Sequence, residues 1–184
     1  MSIEQLKGLV PAPPDPKYTG DEDKWKQAES KLKIALPKDY KAFVDTYGSG
    51  ELANFIYVFT PFTKSEHMNL VQRVASDGDV FRELKENEGD EEVPFQIYPE
   101  SPGLLSWGSD GNGNFLFWLT EGEPDRWPVI VAAGRDSEFE RFDIPMTEFL
   151  FKALTRNLNC GIWPEDFPNP ENVAAYHVFR PSAE

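Results

Sequence analysis

Leu36-Pro37-Lys38-Asp39-Tyr40-Lys41-Ala42-Phe43-Val44-Asp45-Thr46-Tyr47-Gly48-Ser49-Gly50, running on into residues 52–62, carries a helix and a strand in one continuous piece. Pro37 suits a first helical turn, where its missing N–H would have no partner anyway. Tyr40, Phe43, Val44 and Tyr47 follow at i, i+3, i+4 and i+7, and Gly48 accepts the conformation that ends such a helix. Beyond it, Phe55, Tyr57 and Phe59 alternate with Ile56 and Val58. Both faces are apolar, which predicts a single strand over 52–62, covered on two sides and stopped by Pro61.

Toward the N-terminus, Asp21, Glu22 and Asp23 suit a helix start, where carboxylates meet unpaired N–H groups. Trp25, Ala28 and Leu32 then share a face. Residues 1–20 hold Pro11, Pro13, Pro14 and Pro16 and read as an extended arm. Toward the C-terminus, Ser65 is placed to cap a helix carrying Leu70, Val71 and Val74. Phe81 and Leu84 continue that face beyond Gly78, as one kinked helix or two short ones. Lys85 to Glu92 read as a charged loop.

The second half is strand-like, with candidates at 95–98, 104–107, 115–119, 128–133 and 139–142. The intervening turns are rich in Gly, Asn, Asp and Pro, which suits an antiparallel meander. Thr147 is placed to cap a last helix with Phe149, Leu150, Ala153 and Leu154 inward. The fold class is therefore α+β, a mostly antiparallel central sheet with helices at the N-terminal side, after the first strand and near the C-terminus. The expected organisation is an arm over 1–20, an α+β domain over 21–160, and a tail over 161–184. The tail's aromatics, Trp163, Phe167, Tyr176 and Phe179, pack it back on the domain.

Hydrophobic residues make up 40% of the 184 and aromatics 14%, enough for a sizeable core. No apolar run approaches the ~18 residues that span a membrane, and Met1 to Lys17 does not read as a signal peptide, so a cytoplasmic protein is expected. Eighteen basic and 32 acidic residues give a net charge of −14. Such a surface repels phosphate backbones and anionic lipids and steers a basic partner inward, so neither nucleic acid nor membrane is expected as a partner.

Motifs for catalysis are sparse. His67 and His177 are the only histidines and belong to no metal-binding spacing. Cys160 is the only cysteine, which excludes an intramolecular disulfide and a thiolate cluster. Asp110, Asn112, Asn114 and Glu121 fall at positions 1, 3, 5 and 12 of a calcium loop, but Phe115 stands where that loop needs Gly. A polar hairpin turn is the better reading. No cofactor, metal or catalytic residue is expected.

Three pieces, taken together, resemble the SUKH superfamily. The stretch from Leu36 to Phe43 leading to Tyr47-Gly48-Ser49-Gly50 looks like its N-terminal signature. Trp107-Gly108, Asp110 and Phe115 to Trp118 resemble its central hairpin, and Glu121 to Val129 the acidic turn and strand that follow. That family includes Smi/Knr-type cell-wall regulators and bacterial immunity proteins of polymorphic toxin systems. The resemblance implies an α+β domain without cofactor or catalytic residues, and an immunity protein neutralising a cognate, basic toxin domain such as a nuclease. Two alternatives stay open: a regulatory scaffold of the cell-wall-regulator type, and a carboxylate-dependent hydrolase. The candidate partner-binding residues are Glu86, Glu88, Asp90, Glu91 and Glu92 in one acidic stretch and Glu121, Glu123 and Asp125 in another.

Overall fold

A computed structural model describes residues 3–135 and 137–182. In chain order the elements are α1 (Ile3–Leu9), α2 (Glu22–Leu32), α3 (Lys38–Tyr47), β1 (Gly50–Leu52), β2 (Ile56–Val58) and α4 (Leu70–Glu88). They continue with β3 (Gln96–Ile97), β4 (Gly103–Asp110), β5 (Phe115–Leu119), β6 (Val129–Ala132), β7 (Phe139–Phe142), α5 (Met146–Leu154) and β8 (Phe179–Pro181). The strands form one sheet in the order β7-β6-β5-β4-β2-β1-β8, with β3 added beside β4. The β3–β4 pairing is parallel and the others are antiparallel, so the chain is α+β with a mostly antiparallel sheet.

β4 is the pivot, because its eight residues pair with β5 on one side and with both β2 and β3 on the other. Its register slips between Ser106 and Gly108. A Cβ on Gly108 would lie 2.6 Å from the Tyr57 carbonyl oxygen, so the neighbouring backbone can approach only a glycine. Both faces of the sheet are buried, as the apolar runs require. Leu105, Leu116, Trp118, Val129 and Val131 belong to the larger core, shared with α1, α3 and α5. Leu104, Phe117, Leu119, Ile130 and Ala132 form a second, smaller core with Phe81 of α4 and Val93.

Four sequence expectations need correction. The first concerns the arm, which is not extended throughout: Ile3–Leu9 is helical, and Leu6 and Val10 are fully buried. The prolines begin only at Pro11, so they end this helix without forbidding it. Tyr47 Oη donates to the Val10 carbonyl at 2.7 Å, which ties the arm to α3.

Second, the single strand over 52–62 is a hairpin. Ala53 and Asn54 both take positive φ, at 59° and 55°, and Phe55 N–H bonds the Leu52 carbonyl at 3.1 Å. Two left-handed residues in a row give this tight turn the twist that a hairpin needs, and three residues, 53–55, lie between the paired Leu52 and Ile56. No glycine marks the turn, so only Asn54 hinted at it.

Third, residues 85–88 are not loop but the last turn of α4, a single helix through Gly78 that ends at Gly89. Its cap is Asn69 rather than Ser65: Asn69 Oδ1 accepts from Val71 N at 3.0 Å and Gln72 N at 3.3 Å. Fourth, Pro145, not Thr147, sits at the cap of α5, and Thr147 lies in its first turn.

The two ends of the chain meet on one short step. Ser49 N–H bonds the Lys17 carbonyl at 3.0 Å, and Ser182 N–H bonds the Ser49 carbonyl at 2.9 Å. β8 then pairs with β1, placing Phe179 opposite Leu52 and beside Phe43 and Tyr47. Gly48, at φ +75°, is required here, since a Cβ would fall 1.9 Å from the Lys17 oxygen. In the tail, Trp163 packs edge-on against Phe149 and Phe55.

Candidate functional site

The two acidic stretches differ in what holds them. Glu86 and Glu88 are exposed on the last turn of α4, and Asp90, Glu91 and Glu92 are exposed in the turn that follows. Lys85 Nζ donates to Asp90 Oδ1 and to the Val93 carbonyl, both at 2.6 Å, which pins that turn. Val93 is fully buried and the Phe95 ring lies 5.5 Å from Phe139, so the segment has a firm base on the sheet. Glu86, Glu88, Glu91 and Glu92 have no ion-pair partner among the described residues. Carboxylates at a helix C-terminus face the negative end of its dipole, which costs roughly 0.3–1 kcal/mol each. Nothing local rewards their placement.

The other stretch is bound internally. Asp125 lies in a 3-10 turn, Pro124–Arg126, and accepts from Lys38 N through Oδ1 and from Lys38 Nζ through Oδ2, each at 2.8 Å. The Lys38 amine bond, then its backbone N–H, hold the Asp125 carboxyl below its usual range. Asp125 thus satisfies the first orphan N–H of α3, a cap supplied from 87 residues away. Glu121 is held by the Arg141 guanidinium, with Nη1 to Oε2 at 3.2 Å, and Arg141 also reaches Asp143 at 2.7 Å. Glu123 is exposed and its charge reinforces that of Asp125 on Lys38. No hydrogen bond or ion pair joins the two stretches among the described residues.

The signature stretch at 36–50 also proves to be fastened inward. Asp39 Oδ2 accepts from Thr147 N at 2.9 Å and from Thr147 Oγ1 at 3.1 Å, while Oδ1 accepts from Tyr40 N at 2.8 Å. One carboxylate therefore serves the first turns of α3 and α5 together. Tyr40 Oη donates to the Phe59 carbonyl at 2.7 Å, and its ring meets Trp118 edge-on at 5.0 Å.

The calcium-like spacing closes on itself: Asp110 Oδ1 accepts from Asn112 N at 2.9 Å and Asn114 N at 3.0 Å, and Oδ2 accepts from Asn114 Nδ2 at 2.8 Å. Glu121, its twelfth position, is engaged by Arg141. Among the described residues no three His, Cys, Asp or Glu side chains converge on a metal-sized space. Burial pushes the Cys160 thiol up to about 12, so it stays protonated and a poor nucleophile near neutrality.

Asp77 is the one carboxyl among the described residues that burial raises above its usual range. It is 2% exposed, accepts from Ser106 Oγ at 2.5 Å and from Arg73 Nη2 at 2.9 Å, and lies under α4 against β4. A second raised carboxyl beside it, which acid–base hydrolysis would use, is absent among the described residues. No helix of the described residues is long and apolar enough to cross a membrane.

Two exposed residues beside the first acidic stretch were not singled out from sequence. Val80 is 51% exposed, the one large hydrophobic so exposed among the described residues, and Glu83 shares its face of α4. Inward-facing Phe81 and Leu84 dominate the periodicity there, so an outward valine carries no distinct signal. No curated protein and no solved structure matches this chain. Residues 22–150 match the family model described as SMI1-KNR4 cell-wall, SUKH_6, which spans well over half of the 184 residues. With its α+β sheet and inward-fastened signature residues, the chain belongs to the SMI1-KNR4 family of SUKH domains.

Proposed function

We propose that this chain is a non-enzymatic, cytoplasmic protein-binding module of the immunity type, which neutralises a basic toxin domain by covering its working surface. The observation that carries the reading is a set of exposed carboxylates without an ion-pair partner among the described residues: Glu86 and Glu88 on the last turn of α4, where the helix dipole disfavours them, and Glu91 and Glu92 in the turn after it. A nuclease-like toxin needs positive charge to hold phosphates, and such a surface complements this one. The interface would bury ~800 Å² per partner.

The test is affinity capture of a basic toxin-like domain from the host, then association kinetics with that domain and rescue of cells expressing it. The combined variant E86K/E88K/E91K/E92K should slow association about 10- to 100-fold at low salt, with the difference shrinking as salt rises. An unchanged on-rate would remove this surface from the reading; failure to rescue would remove the immunity role.

A second reading, a regulatory adaptor, is favoured by the cell-wall description of the matching family. Its mark would be stable capture of host signalling proteins without any toxin to neutralise. Carboxylate-dependent hydrolysis draws little support, since Asp77 is closed off and already paired.

A further inference from the structure

Between the C-terminal half of α4 and the turn after β6 lies a depression of about 360 Å³. Its lining is mostly apolar: Val80, Phe81, Leu84, Phe115 and Ala133. Phe81 forms a rigid floor, 3% exposed and edge-on to Phe115 and Phe117 at 5.0 Å each. The far wall is also fixed. Gly134 N–H bonds Asn114 Oδ1 at 3.0 Å, and a Cβ on Gly134 would fall 2.2 Å from the Gly113 oxygen. The floor at Phe81 and the wall at Gly134 are therefore held in place, and the volume lies within the ~300–1,000 Å³ range of binding pockets.

Charge is distributed unevenly around it. Glu83 is the one carboxylate of the lining and Arg135 its one cation, while the exposed Glu86, Glu88, Glu91 and Glu92 stand outside it at the same end of the helix. An apolar floor beside a helix end that is acidic on balance suits a bulky apolar group whose flanking ammonium or guanidinium groups reach past the rim to those carboxylates, and disfavours one flanked by carboxylates. We propose that this depression is an anchor pocket for one large apolar side chain carried on a basic segment of a partner protein. The inference rests on the binding role proposed above and adds to it a desolvated centre, which charge alone does not provide. Buried anchors of this kind hold most of the energy of an interface, while the surrounding charges set its on-rate.

The test uses the full chain and three capped tripeptides, Lys-Trp-Lys, Lys-Ala-Lys and Glu-Trp-Glu, followed by amide NMR shifts. Lys-Trp-Lys should bind about tenfold more tightly than either control, with saturable shifts at Val80, Leu84, Phe115 and Ala133. Val80→Glu, an exposed helical position where glutamate is well tolerated, should abolish those shifts and leave the melting temperature unchanged. Equal binding of the two Lys peptides, or saturable shifts only along residues 86–92, would overturn the anchor pocket and leave the charged-surface reading intact. Glu-Trp-Glu binding as tightly as Lys-Trp-Lys would overturn the basic character of the occupant. Loss of toxin rescue with intact Lys-Trp-Lys binding would instead count against the immunity role alone.

Discussion

The turn after β5 and the turn after α4 are both acidic, yet their carboxylates meet opposite fates. Asp125 and Glu121 are consumed by Lys38 and Arg141, so their charge caps a helix and joins a loop to β7. Glu86 and Glu88 stand in water at the wrong end of a helix dipole, and Glu91 and Glu92 stand in water in the turn beyond it. Local composition does not separate these cases. What separates them is whether the fold brings a cation to the acid, and that depends on contacts up to 87 residues apart.

The comparison can be broken by removing acids one region at a time and measuring unfolding in urea. Asp39→Ala, the signature carboxylate, should cost most, about 2 kcal/mol, because it strands the fully buried Thr147 and the Tyr40 N–H. Asp125→Ala should cost about 1 kcal/mol, the ordinary value of a helix cap. Glu121→Gln should cost no more than about 0.5 kcal/mol, since its ion pair is partly solvated. Replacing Glu86, Glu88, Glu91 and Glu92 together by Gln should cost nothing and raise stability by a few tenths of a kcal/mol. A loss above 1 kcal/mol in that last variant would mean the first stretch is structural as well.

A pH series sharpens the contrast further, because two aspartates are shifted in opposite directions. The Asp125 carboxyl is held below its ordinary 3.8, so its contribution is present above that value and fades as pH falls through the lower one. Asp77 is raised, chiefly by burial. Between 3.8 and its higher value the folded chain keeps a proton that the unfolded chain has released, so stability falls as pH rises through that window. Asp77→Asn should remove that fall, and Asp125→Asn the loss at lower pH, in melting temperatures recorded from pH 3 to 7.

The helix over 38–47 was legible because period 3.6 is written directly in Tyr40, Phe43, Val44 and Tyr47, and the strands of the meander because short apolar runs such as Phe115 to Leu119 are bounded by turns rich in Gly, Asn and Pro. The hairpin at Ala53–Asn54 was not, since its turn relies on two non-glycine residues in the left-handed region. Helix α1 was hidden by the prolines beside it, which colour the composition without entering the helix. The candidate site was half legible. The acids themselves could be named from sequence, but the internal partners of Asp125 and Glu121 and the exposure of Val80 belong to tertiary structure.

The meeting of both chain ends at Ser49 bears on how the domain can be cut and on how it folds. Trimming to the family-matched span, 22–150, would remove α1, Lys17 and β8 together. It would leave the outer edge of β1 bare and the rings of Phe43 and Tyr47 without Phe179, an open template for strand-to-strand aggregation. In the intact chain the Ser49–Ser182 contact spans 133 residues, so it closes a very long loop. Closing a loop of that length costs more chain entropy than closing the hairpins of the meander, so contacts of this kind slow folding more than local ones do.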